Sequence, residues 1–377
     1  MFIITKQQAK NYLLTKAGFN SDRNFLQVIN DLSCIQVDPI NIVARTHELS
    51  LYNRSKNFRK KDLYKSLYED HSLFEYWMQL YSIIPIQAFP YLHGVDEVPG
   101  DRQREISGYW HEDYRKQHKK EIDIALEFIK DNGPTSSKQI LHLPKVPAIH
   151  SWKGEDSQIA LLEFLWNTGE IQVSHRKSNT KYYDLTERVL PKSVRDMKVT
   201  REESYKFLLD SYFKYFGLIR SSRLNRSGRN RAQGLRDELA KQIKNSHAVE
   251  IRIEGGLYKY YAKQSEVEKL QNSPSGSHKG LNVLPPLDPM IIDRELTVDV
   301  FDFFYRWEAY TPQSKRKYGY YNMPILFNGE IIGQIDLVKD NQENKLKVNK
   351  LALNKKSKQI DQALKSELKR LEEFSFS

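Results

Sequence analysis

The stretch SQIALLEFLWNTGEIQVSHRKSNTKYYDL, residues 157–185, decides the fold of this 377-residue chain. Apolar residues at helical spacing predict a helix over Ser157–Trp166. The alternating segment Gly169–Ser174, the polar turn Arg176–Thr180 and the returning segment Lys181–Leu185 predict a β-hairpin. A helix that leads into such a hairpin is typical of the end of a winged helix, which is a helix-turn-helix motif with a β wing.

Two more predicted helices precede this stretch. Glu121–Asp131 is amphipathic, and a Gly-Pro pair ends it. Thr135 and Ser136 are residue types that cap helices, so we expect them to begin a short helix toward Leu141. Helix, helix, helix and hairpin over residues 118–197 together predict a complete winged helix.

The same order recurs over residues 198–272. Helical patterns cover Ser204–Phe216, Arg220–Leu224 and Ala232–Lys244. Two alternating segments, Val249–Ile253 and Leu257–Tyr261, then flank a Glu-Gly-Gly turn. We therefore predict another winged helix directly after the first one.

Residues 1–117 and 280–377 complete the predicted architecture. The first region contains helices that begin at Thr5 and cover Asn24–Leu32. The second follows a linker rich in Ser, Pro and Gly, is β-rich and ends in a helix over Lys356–Phe374. Its predicted strands are Val300–Tyr305, Tyr318–Phe327 and Glu330–Val338. The predicted fold class is α+β, with tandem winged-helix units over 1–117, 118–197 and 198–272 and a C-terminal β-rich, barrel-like domain over 280–377.

The composition limits the classes of function. The chain is 39% hydrophobic and 28% charged, and it has no run of roughly 18 apolar residues that could span a bilayer. Its one cysteine, Cys34, excludes an internal disulfide framework and favours a reducing compartment, so we expect a cytoplasmic protein. A formal net charge of +11 and an isoelectric point near 9.3 favour a polyanionic partner, with nucleic acid the first candidate.

Gln36 and Asp38 are polar residues in the otherwise apolar stretch CIQVDPI, residues 34–40. Burying an amide or a carboxylate without a partner is unfavourable, so each residue needs a structural or a chemical reason. Because Pro39 favours an extended Asp38 and a helix after it, Asp38 could cap a helix over Ile40–Leu51. Residues two apart in an extended segment project to the same side, so Gln36 and Asp38 could instead share one water molecule.

Positive charge is concentrated near the predicted wing and in one arginine-rich run. Arg176 and Lys177 lie at the predicted wing tip. The run from 220 to 231 has no acidic residue and carries Arg220, Arg223, Arg226, Arg229 and Arg231. Arginines interleaved with Ser, Asn and Gly suit contacts with phosphates, although a solvated loop would have a similar composition.

Several segments, in the same order, resemble the winged-helix DNA glycosylases of the AlkZ and YcaQ (AlkX) type. The most specific is IQVDPINIVARTHELSLYNR, residues 35–54, in which Gln36-Val37-Asp38 is similar to the glutamine–aliphatic–aspartate motif of the YcaQ branch. Further similar segments are residues 70–92, 151–173 and 183–191, Leu284–Pro289, Asp293-Arg294 and residues 305–338. The likeness therefore extends over nearly the whole chain.

The resemblance implies a DNA-repair enzyme that releases alkylated bases and unhooks interstrand crosslinks. It implies catalytic roles for Gln36 and Asp38 and a concave scaffold of tandem winged helices that binds duplex DNA. Arg45 and His47 follow the motif and become candidates for DNA contact, with His47 as a base the alternative. Asp38 departs from the glutamine of the AlkZ branch, which favours the broader substrate range of the YcaQ branch.

The implied chemistry suits a carboxylate and an amide. An N7- or N3-alkylated purine is cationic and leaves readily, so the enzyme needs a water aimed at C1′ and negative charge near the oxocarbenium ion. Asp38 can supply both. No lysine adjoins the motif, so we expect hydrolysis that leaves an abasic site. His71 and Glu75 lie four apart, but a third ligand is not evident, so we expect no metal and no other cofactor.

The expected partner is double-stranded DNA with alkylated bases or crosslinks. We expect a monomer associated with the nucleoid, with no membrane and no obligate protein partner. The alternative is a non-enzymatic transcription regulator built from the same winged helices, in which Asp38 would be only a helix cap.

Overall fold

The computed structural model describes residues 1–78, 80–93, 111–147, 156–225, 229–276 and 278–377, and it describes only the backbone of residues 111, 112, 229 and 230. These residues form a mixed α+β fold with helices and several small sheets. The chain divides into two compact units. The first comprises Met1–Lys60, Ser211–Ser221 and Lys241–Ser377, and the second comprises Lys61–Asp210 and Ser222–Ala240.

The helices lie throughout the described chain. In chain order they are α1 (Lys6–Ala17), α2 (Phe25–Leu32), α3 (Thr46–Tyr52), α4 (Lys60–Tyr68), α5 (Phe89–His93), α6 (His111–Gln117), α7 (Lys119–Asn132), α8 (Ile159–Asn167), α9 (Thr186–Val189), α10 (Lys192–Arg195), α11 (Arg201–Phe216), α12 (Ser221–Leu224), α13 (Arg229–Lys244), α14 (Val267–Asn272), α15 (Arg294–Phe301) and α16 (Lys358–Phe376). Short 3-10 helices are Ile86–Ala88, Gln264–Glu266 and Gln313–Lys315.

The strands are short except near the C-terminus. In chain order they are β1 (Phe2–Ile4), β2 (Ile35–Gln36), β3 (Leu73–Trp77), β4 (Tyr81–Pro85), β5 (Thr135–Ser136), β6 (Val146–Pro147), β7 (Asp156–Ser157), β8 (Ile171–Lys177), β9 (Thr180–Leu185), β10 (Ala248–Ile253), β11 (Lys259–Lys263), β12 (Leu281–Val283), β13 (Asn322–Phe327), β14 (Glu330–Asp340) and β15 (Lys345–Leu353).

Helix α1 and the antiparallel hairpin β10–β11 contribute to the core of the first unit. Thr5 caps α1 as its sequence predicts, because its side chain accepts a hydrogen bond from the backbone N–H of Gln8 at 3.1 Å. Strand β1 pairs in parallel with β10, with Phe2 opposite Ile251. Local sequence patterns do not predict this pairing, since parallel partners need not be neighbours along the chain.

The C-terminal part of the first unit contains the antiparallel sheet β12-β13-β14-β15. Asn328 and Gly329 connect β13 to β14 and both have positive φ, as the predicted Asn-Gly turn requires. The barrel-like prediction is corrected, because the described strands form an open four-stranded sheet and no closed barrel. The final helix α16 contacts β12 and β15, so the two edge strands lie against a helix instead of pairing with each other.

The predicted strand at Val300–Tyr305 is wrong, since residues Arg294–Phe301 form helix α15. Asp293 caps its first turn by accepting from the backbone N–H of Leu296 at 3.3 Å. Asp302 has a φ of 52° and ends the helix in the left-handed region. The β-branched and aromatic residues at the end of this helix had favoured a strand.

The second unit contains the predicted hairpin β8–β9 and the antiparallel hairpin β3–β4. The turn between β8 and β9 is shorter than the predicted turn over Arg176–Thr180. Arg176 and Lys177 therefore lie in β8. Thr135 and Ser136 do not cap a helix. They form strand β5, which pairs with β9 and gives the sheet β5-β9-β8. Helices α7 and α8 confirm two of the three helices predicted before this hairpin.

Candidate active site

Asp38 lies in a tight turn of the first unit. Strand β2 ends at Gln36, and the carboxylate oxygen Oδ1 of Asp38 accepts a hydrogen bond from the backbone N–H of Ile40 at 2.8 Å. Asp38 is 7% exposed, whereas Gln36 and Val37 are half-buried. Burial raises the pKa of Asp38, and the hydrogen bond from Ile40 opposes that rise. The motif is therefore extended and then turned, as Pro39 predicts.

The expected helix over Ile40–Leu51 is wrong in its first half. Helix α3 begins only at Thr46, and Arg45 is its N-cap residue. The carboxylate of Asp38 instead forms an Asx turn, in which it accepts a hydrogen bond from the backbone N–H two residues later. Asx turns are a common alternative to helix capping for aspartate. Asp38 is consequently not the cap of a helix, and the capping explanation of this residue does not apply.

Helix α3 carries the two other candidates next to the motif. The backbone N–H of Arg45 donates to Oε2 of Glu48 at 2.9 Å, which fixes the entry to the helix. Arg45 is half-buried, while His47 is only 1% exposed. A buried imidazole cannot reach a DNA phosphate without a change in its surroundings, so DNA contact by His47 stays a prediction that its burial makes less favourable.

Tyr321 is a residue of this site that the sequence did not single out. Its hydroxyl lies 3.4 Å from Oγ1 of Thr46, and its ring is fully buried. Burial, followed by the charges of Asp38 and Glu48, raises the pKa of Tyr321, and the hydrogen bond to Thr46 opposes the rise. The phenol is therefore neutral at physiological pH and lies within electrostatic range of Asp38. Tyr321 comes from the segment before β13, so local sequence patterns could not connect it with Asp38.

A buried ion pair supports the helix behind the site. Arg54 donates from Nη1 to Oδ2 of Asp288 and from Nη2 to Oδ1, both at 2.7 Å. Neither residue has measurable exposure, and Nη1 also donates to the backbone oxygen of Ser50 in α3. This bidentate ion pair connects the end of α3 with the Leu284–Pro289 segment, which contains Asp288.

Arg176, predicted to contact DNA, lies in a buried cluster of the second unit. Its Nε donates to Oε1 of Glu75 at 2.8 Å, and its Nη2 donates to the hydroxyl of Tyr81 at 2.9 Å. Burial alone would raise the pKa of Glu75, but hydrogen bonds and charge from Arg176 outweigh it and lower that pKa to about 2. Glu75 lies in strand β3, so it does not share a helix face with His71. DNA contact by Arg176 stays a prediction, which this ion pair makes less favourable.

The arginine-rich run is mostly buried where the structure describes its side chains. Arg220 donates to Oδ1 of Asp293 at 2.9 Å and lies 2.8 Å from Oε2 of Glu295. Arg223 and Arg231 are 5% and 2% exposed, and Nη1 of Arg231 donates to the backbone oxygen of Met78 at 3.0 Å. Arg226 and the side chain of Arg229 lie outside the described residues. DNA contact by this run therefore stays a prediction, and burial argues against Arg220, Arg223 and Arg231.

Lys177 differs from these arginines. It is exposed at the end of β8, beside the turn of the hairpin, and its Nζ lies 5.1 Å from the ring centroid of Tyr182. An exposed ammonium on a projecting hairpin can meet a phosphate without rearrangement. Lys177 is thus the predicted wing residue whose position best suits DNA contact.

A family model described as DNA glycosylase AlkZ-like matches residues 29–374. The chain belongs to the AlkZ-like family, and it is an enzyme of the DNA glycosylase class. The regulator alternative is therefore not supported.

A solved structure has the same fold. The DNA glycosylase AlkZ of Streptomyces sahachiroi superimposes with a TM-score of 0.61, covering 99% of this chain and 97% of that chain at 13% sequence identity. At this identity the likeness establishes the shared fold, and the residues of the site must be argued from this chain. Within the described part of the chain, no helix is long and apolar enough to cross a membrane. The described residues also contain no group of three His, Cys, Asp or Glu side chains suited to a metal ion.

Proposed function

We propose that this DNA glycosylase hydrolyses the N-glycosidic bond of N7- and N3-alkylated purines in duplex DNA, unhooks interstrand crosslinks and leaves an abasic site. The observation that carries the proposal is the buried carboxylate of Asp38, oriented by the N–H of Ile40 in the turn after Gln36. The DNA glycosylase family supports the reaction class.

Asp38 supplies the charge that this reaction needs. Ile40 engages Oδ1, and no described residue donates a hydrogen bond to Oδ2, so that oxygen can accept from a water molecule. The ionised carboxylate takes a proton from this water and stabilises the cationic sugar as the base departs. Gln36 ends the strand on the same segment, and its amide can hold the same water without adding charge.

The charge on the lesion explains why one carboxylate suffices. An N7- or N3-alkylated purine is a cation and departs as a neutral base, so little protonation of the leaving group is required. The hydroxyl of Tyr321 lies 3.4 Å from Oγ1 of Thr46, and burial and the charge of Asp38 raise the pKa of this tyrosine, which keeps it neutral. A base that is crosslinked to the other strand cannot be extruded cheaply, so the proposal includes a site open to the duplex.

Winged helices are the proposed DNA-binding scaffold. The sheet β5-β9-β8, with helices α7 and α8 before its hairpin, supports a winged helix over residues 118–197. Over residues 198–272, an isolated antiparallel bridge joins Ile219 to Tyr261 of β11. It occupies the chain position that β5 has in the preceding repeat, which supports a second winged helix. The hairpin β3–β4 is a candidate wing for residues 1–117.

The remaining features of the proposal concern partners and sites of contact. We assign the exposed Lys177 and the half-buried Arg45 to DNA phosphates. The proposed domains are 1–117, 118–197, 198–272 and the C-terminal domain 280–377. We propose that the enzyme acts as a monomer on nucleoid DNA in the cytoplasm.

The proposal is tested with a duplex that carries N7-methylguanine and a duplex that carries a nitrogen-mustard crosslink. Free base and abasic sites are quantified for the wild type, Asp38→Asn and Gln36→Ala, together with the Kd of each protein for the duplex. We expect the wild type to release base and Asp38→Asn to lose about 10²–10⁴-fold in rate. The duplex affinity of Asp38→Asn should be retained.

Asp22→Asn is the matched control. Asp22 is an exposed carboxylate of the same unit that pairs with Lys56 at 2.8 Å, and its replacement should change neither rate nor affinity. Absence of base release from every alkylated duplex by the wild type would overturn the proposed substrate class. Full activity of Asp38→Asn would overturn the catalytic assignment.

A further inference from the structure

The segment from Asp302 to Tyr321, between α15 and β13, combines exposed aromatic and cationic side chains. Tyr310 is 82% exposed, the highest value among the large hydrophobic side chains that the structure describes as exposed. Lys315 and Lys317 are exposed and Arg316 is half-buried. Among the described residues, these three cations make no ion pair. Arg316 donates to the backbone oxygen of Thr311 at 2.8 Å, and Nζ of Lys317 lies 5.0 Å from the ring centroid of Tyr318, so the two exposed lysines are the cations that a partner can reach.

This segment is held in place by one buried carboxylate. Glu308 is 6% exposed, and it accepts hydrogen bonds from the backbone N–H groups of Lys317 at 3.1 Å, Tyr318 at 2.7 Å and Gly319 at 3.1 Å. Its own backbone N–H donates to Oδ1 of Asn322 at 3.2 Å. Three bonds to one charged group make a strong internal anchor, so the loop has its shape before any partner arrives.

The end of the loop is fixed by a second carboxylate. Gly319 has a φ of 118°, and a Cβ at this position would collide with the side chain of Asp336. Asp336 also accepts from the backbone N–H of Tyr321 at 2.9 Å. Glycine is therefore required here, and the two carboxylates hold the end of the loop that carries the exposed Tyr310.

Edge-to-face ring contacts connect Tyr310 with the candidate active site. The ring centroids of Tyr310 and Trp307 lie 5.6 Å apart, and those of Trp307 and Tyr321 lie 6.1 Å apart. The interplanar angles are 77° and 81°, the arrangement that aromatic pairs favour. The hydroxyl of Tyr321 lies 3.4 Å from Oγ1 of Thr46 at the start of α3, and burial, together with the charge of Asp38, raises the pKa of Tyr321. The exposed ring thus lies only two aromatic contacts away from the site.

We propose that Tyr310 stacks on a base next to the lesion and occupies the space that opens in the distorted duplex, while Lys315 and Lys317 bind the adjacent phosphates. This inference rests on the proposed function and assigns a substrate-positioning residue to it. An exposed aromatic ring flanked by unpaired cations fits a base and its phosphates, because every base offers a ring face and every phosphate a negative charge. The preset loop lowers the entropic cost of that contact.

The aromatic part of the proposal is tested by binding. The probe is a duplex that contains a stable abasic-site analogue with 2-aminopurine beside it, so the measurement does not depend on base release. Tyr310→Ala should weaken the Kd by about 5- to 150-fold and abolish the fluorescence change that stacking on 2-aminopurine produces. Tyr310→Phe keeps the ring and should retain both. Phe304→Ala, which removes another exposed aromatic ring of the segment, is the matched control.

The cationic part is tested by salt dependence. For the Lys315→Ala/Lys317→Ala double variant, the slope of log K against log salt should become shallower by about 2. Unfolding of each variant, followed by fluorescence, checks that the substitutions in the loop leave the fold intact. Unchanged affinity, fluorescence and salt slope would overturn the inference and indicate that the loop meets another class of partner.

The two proposals fail differently. If the wild type binds the abasic-analogue duplex through Tyr310 but releases no alkylated base, the proposed substrate class fails and the stacking role stands. If the wild type releases base and Tyr310→Ala does so with unchanged Kd, kcat and KM, the glycosylase function stands and the stacking role fails.

Discussion

Oδ1 of Asp38 lies 2.8 Å from the backbone nitrogen of Ile40, and this hydrogen bond orients a carboxylate that is almost wholly removed from solvent. The local sequence left two roles open for Asp38, a helix cap or a carboxylate that binds a water molecule, and the turn distinguishes between them. An N-terminal helix cap would direct the carboxylate to backbone N–H groups of the helix's first turn. Here helix α3 begins at Thr46, and only Oδ1 of Asp38 accepts a hydrogen bond from a described residue.

The pH dependence of base release should report the ionisation of Asp38. Burial raises the pKa of this acid above its ordinary value of 3.8, so the rate should increase with pH through that raised pKa and then level off. Measurement of kcat/KM between pH 4 and 9 on N7-methylguanine DNA checks this. A rate that is independent of pH across the acidic limb would contradict a role for Asp38 as base.

The same shift makes a prediction about stability. Because the folded state raises the pKa of Asp38, the ionised carboxylate opposes folding above the unfolded pKa, and protonation relieves that cost. Asp38→Asn should therefore not lower Tm at pH 7, since the amide oxygen can still accept from Ile40 and no charge is buried. A large fall in Tm would mean that the charge itself holds the turn.

Replacing Arg176 should expose the cost of burying Glu75 alone. The folded pKa of Glu75, about 2, lies below the ordinary value of 4.5, so its stabilisation is complete above pH 4.5 and is lost as pH falls toward 2. Arg176→Met should lower the free energy of unfolding at pH 7 by about 3–5 kcal/mol, because the carboxylate stays buried without its cation. Urea unfolding at several pH values measures both effects.

The Arg176 variant also has an internal control. Without the cation, burial raises the pKa of Glu75, so stability should now decrease as pH rises, the reverse of the wild type. Glu75→Gln in the Arg176→Met background should remove this pH dependence. Equal pH profiles for wild type and Arg176→Met would contradict the ion pair.

The Arg54–Asp288 pair should behave as one unit. Asp288→Asn leaves the guanidinium buried beside a neutral amide and should cost about 3–5 kcal/mol of unfolding free energy. The double variant Arg54→Met/Asp288→Asn buries no charge, so its loss should be smaller than the sum of the losses of Arg54→Met and Asp288→Asn. A double-mutant cycle by urea unfolding gives the coupling, and strict additivity would show that the two side chains do not interact.

Lys177 and Arg231 should separate DNA contact from structural support. Lys177→Ala should reduce the slope of log K against log salt by about 1 and leave Tm unchanged, as expected for one phosphate contact of an exposed ammonium. Arg231→Ala should lower Tm, because this buried guanidinium bonds to the backbone of Met78. The reverse pattern would place Arg231 on the DNA and Lys177 away from it.

Local sequence patterns were sufficient for many elements. The Thr5 cap and helix α1, the helix α2, the two predicted hairpins, the Asn328-Gly329 turn and the final helix are confirmed, because spacing of apolar residues, caps and turns acts over a few residues. Local patterns gave a wrong prediction where strand-forming residue types and a helix cap occurred in the same segment. The end of helix α15 is rich in strand-forming residues, and the Asp293 cap together with burial decided in favour of a helix.

The burial of cations was decided by tertiary contacts. In the sequence, Arg176, Arg220 and Arg231 are candidates for a DNA-binding surface. Their hydrogen-bond partners are Glu75, Asp293 and Met78, which lie far away along the chain. An arginine is equally suited to a phosphate and to a carboxylate, so its type alone cannot distinguish the two. The anchor Glu308 and the loop that carries Tyr310 were likewise not evident before the backbone contacts were known.

The sequence by itself determined the family, the motif with Gln36 and Asp38 and most of the helices and hairpins, since these depend on residue types at short spacing. Only the tertiary structure decided that Asp38 is buried in a turn and is no helix cap, that its charge acts on the buried Tyr321 and that the arginines are largely paired internally. The physical reason is that desolvation and charge pairing depend on which groups fold against one another, and those groups are distant in the chain.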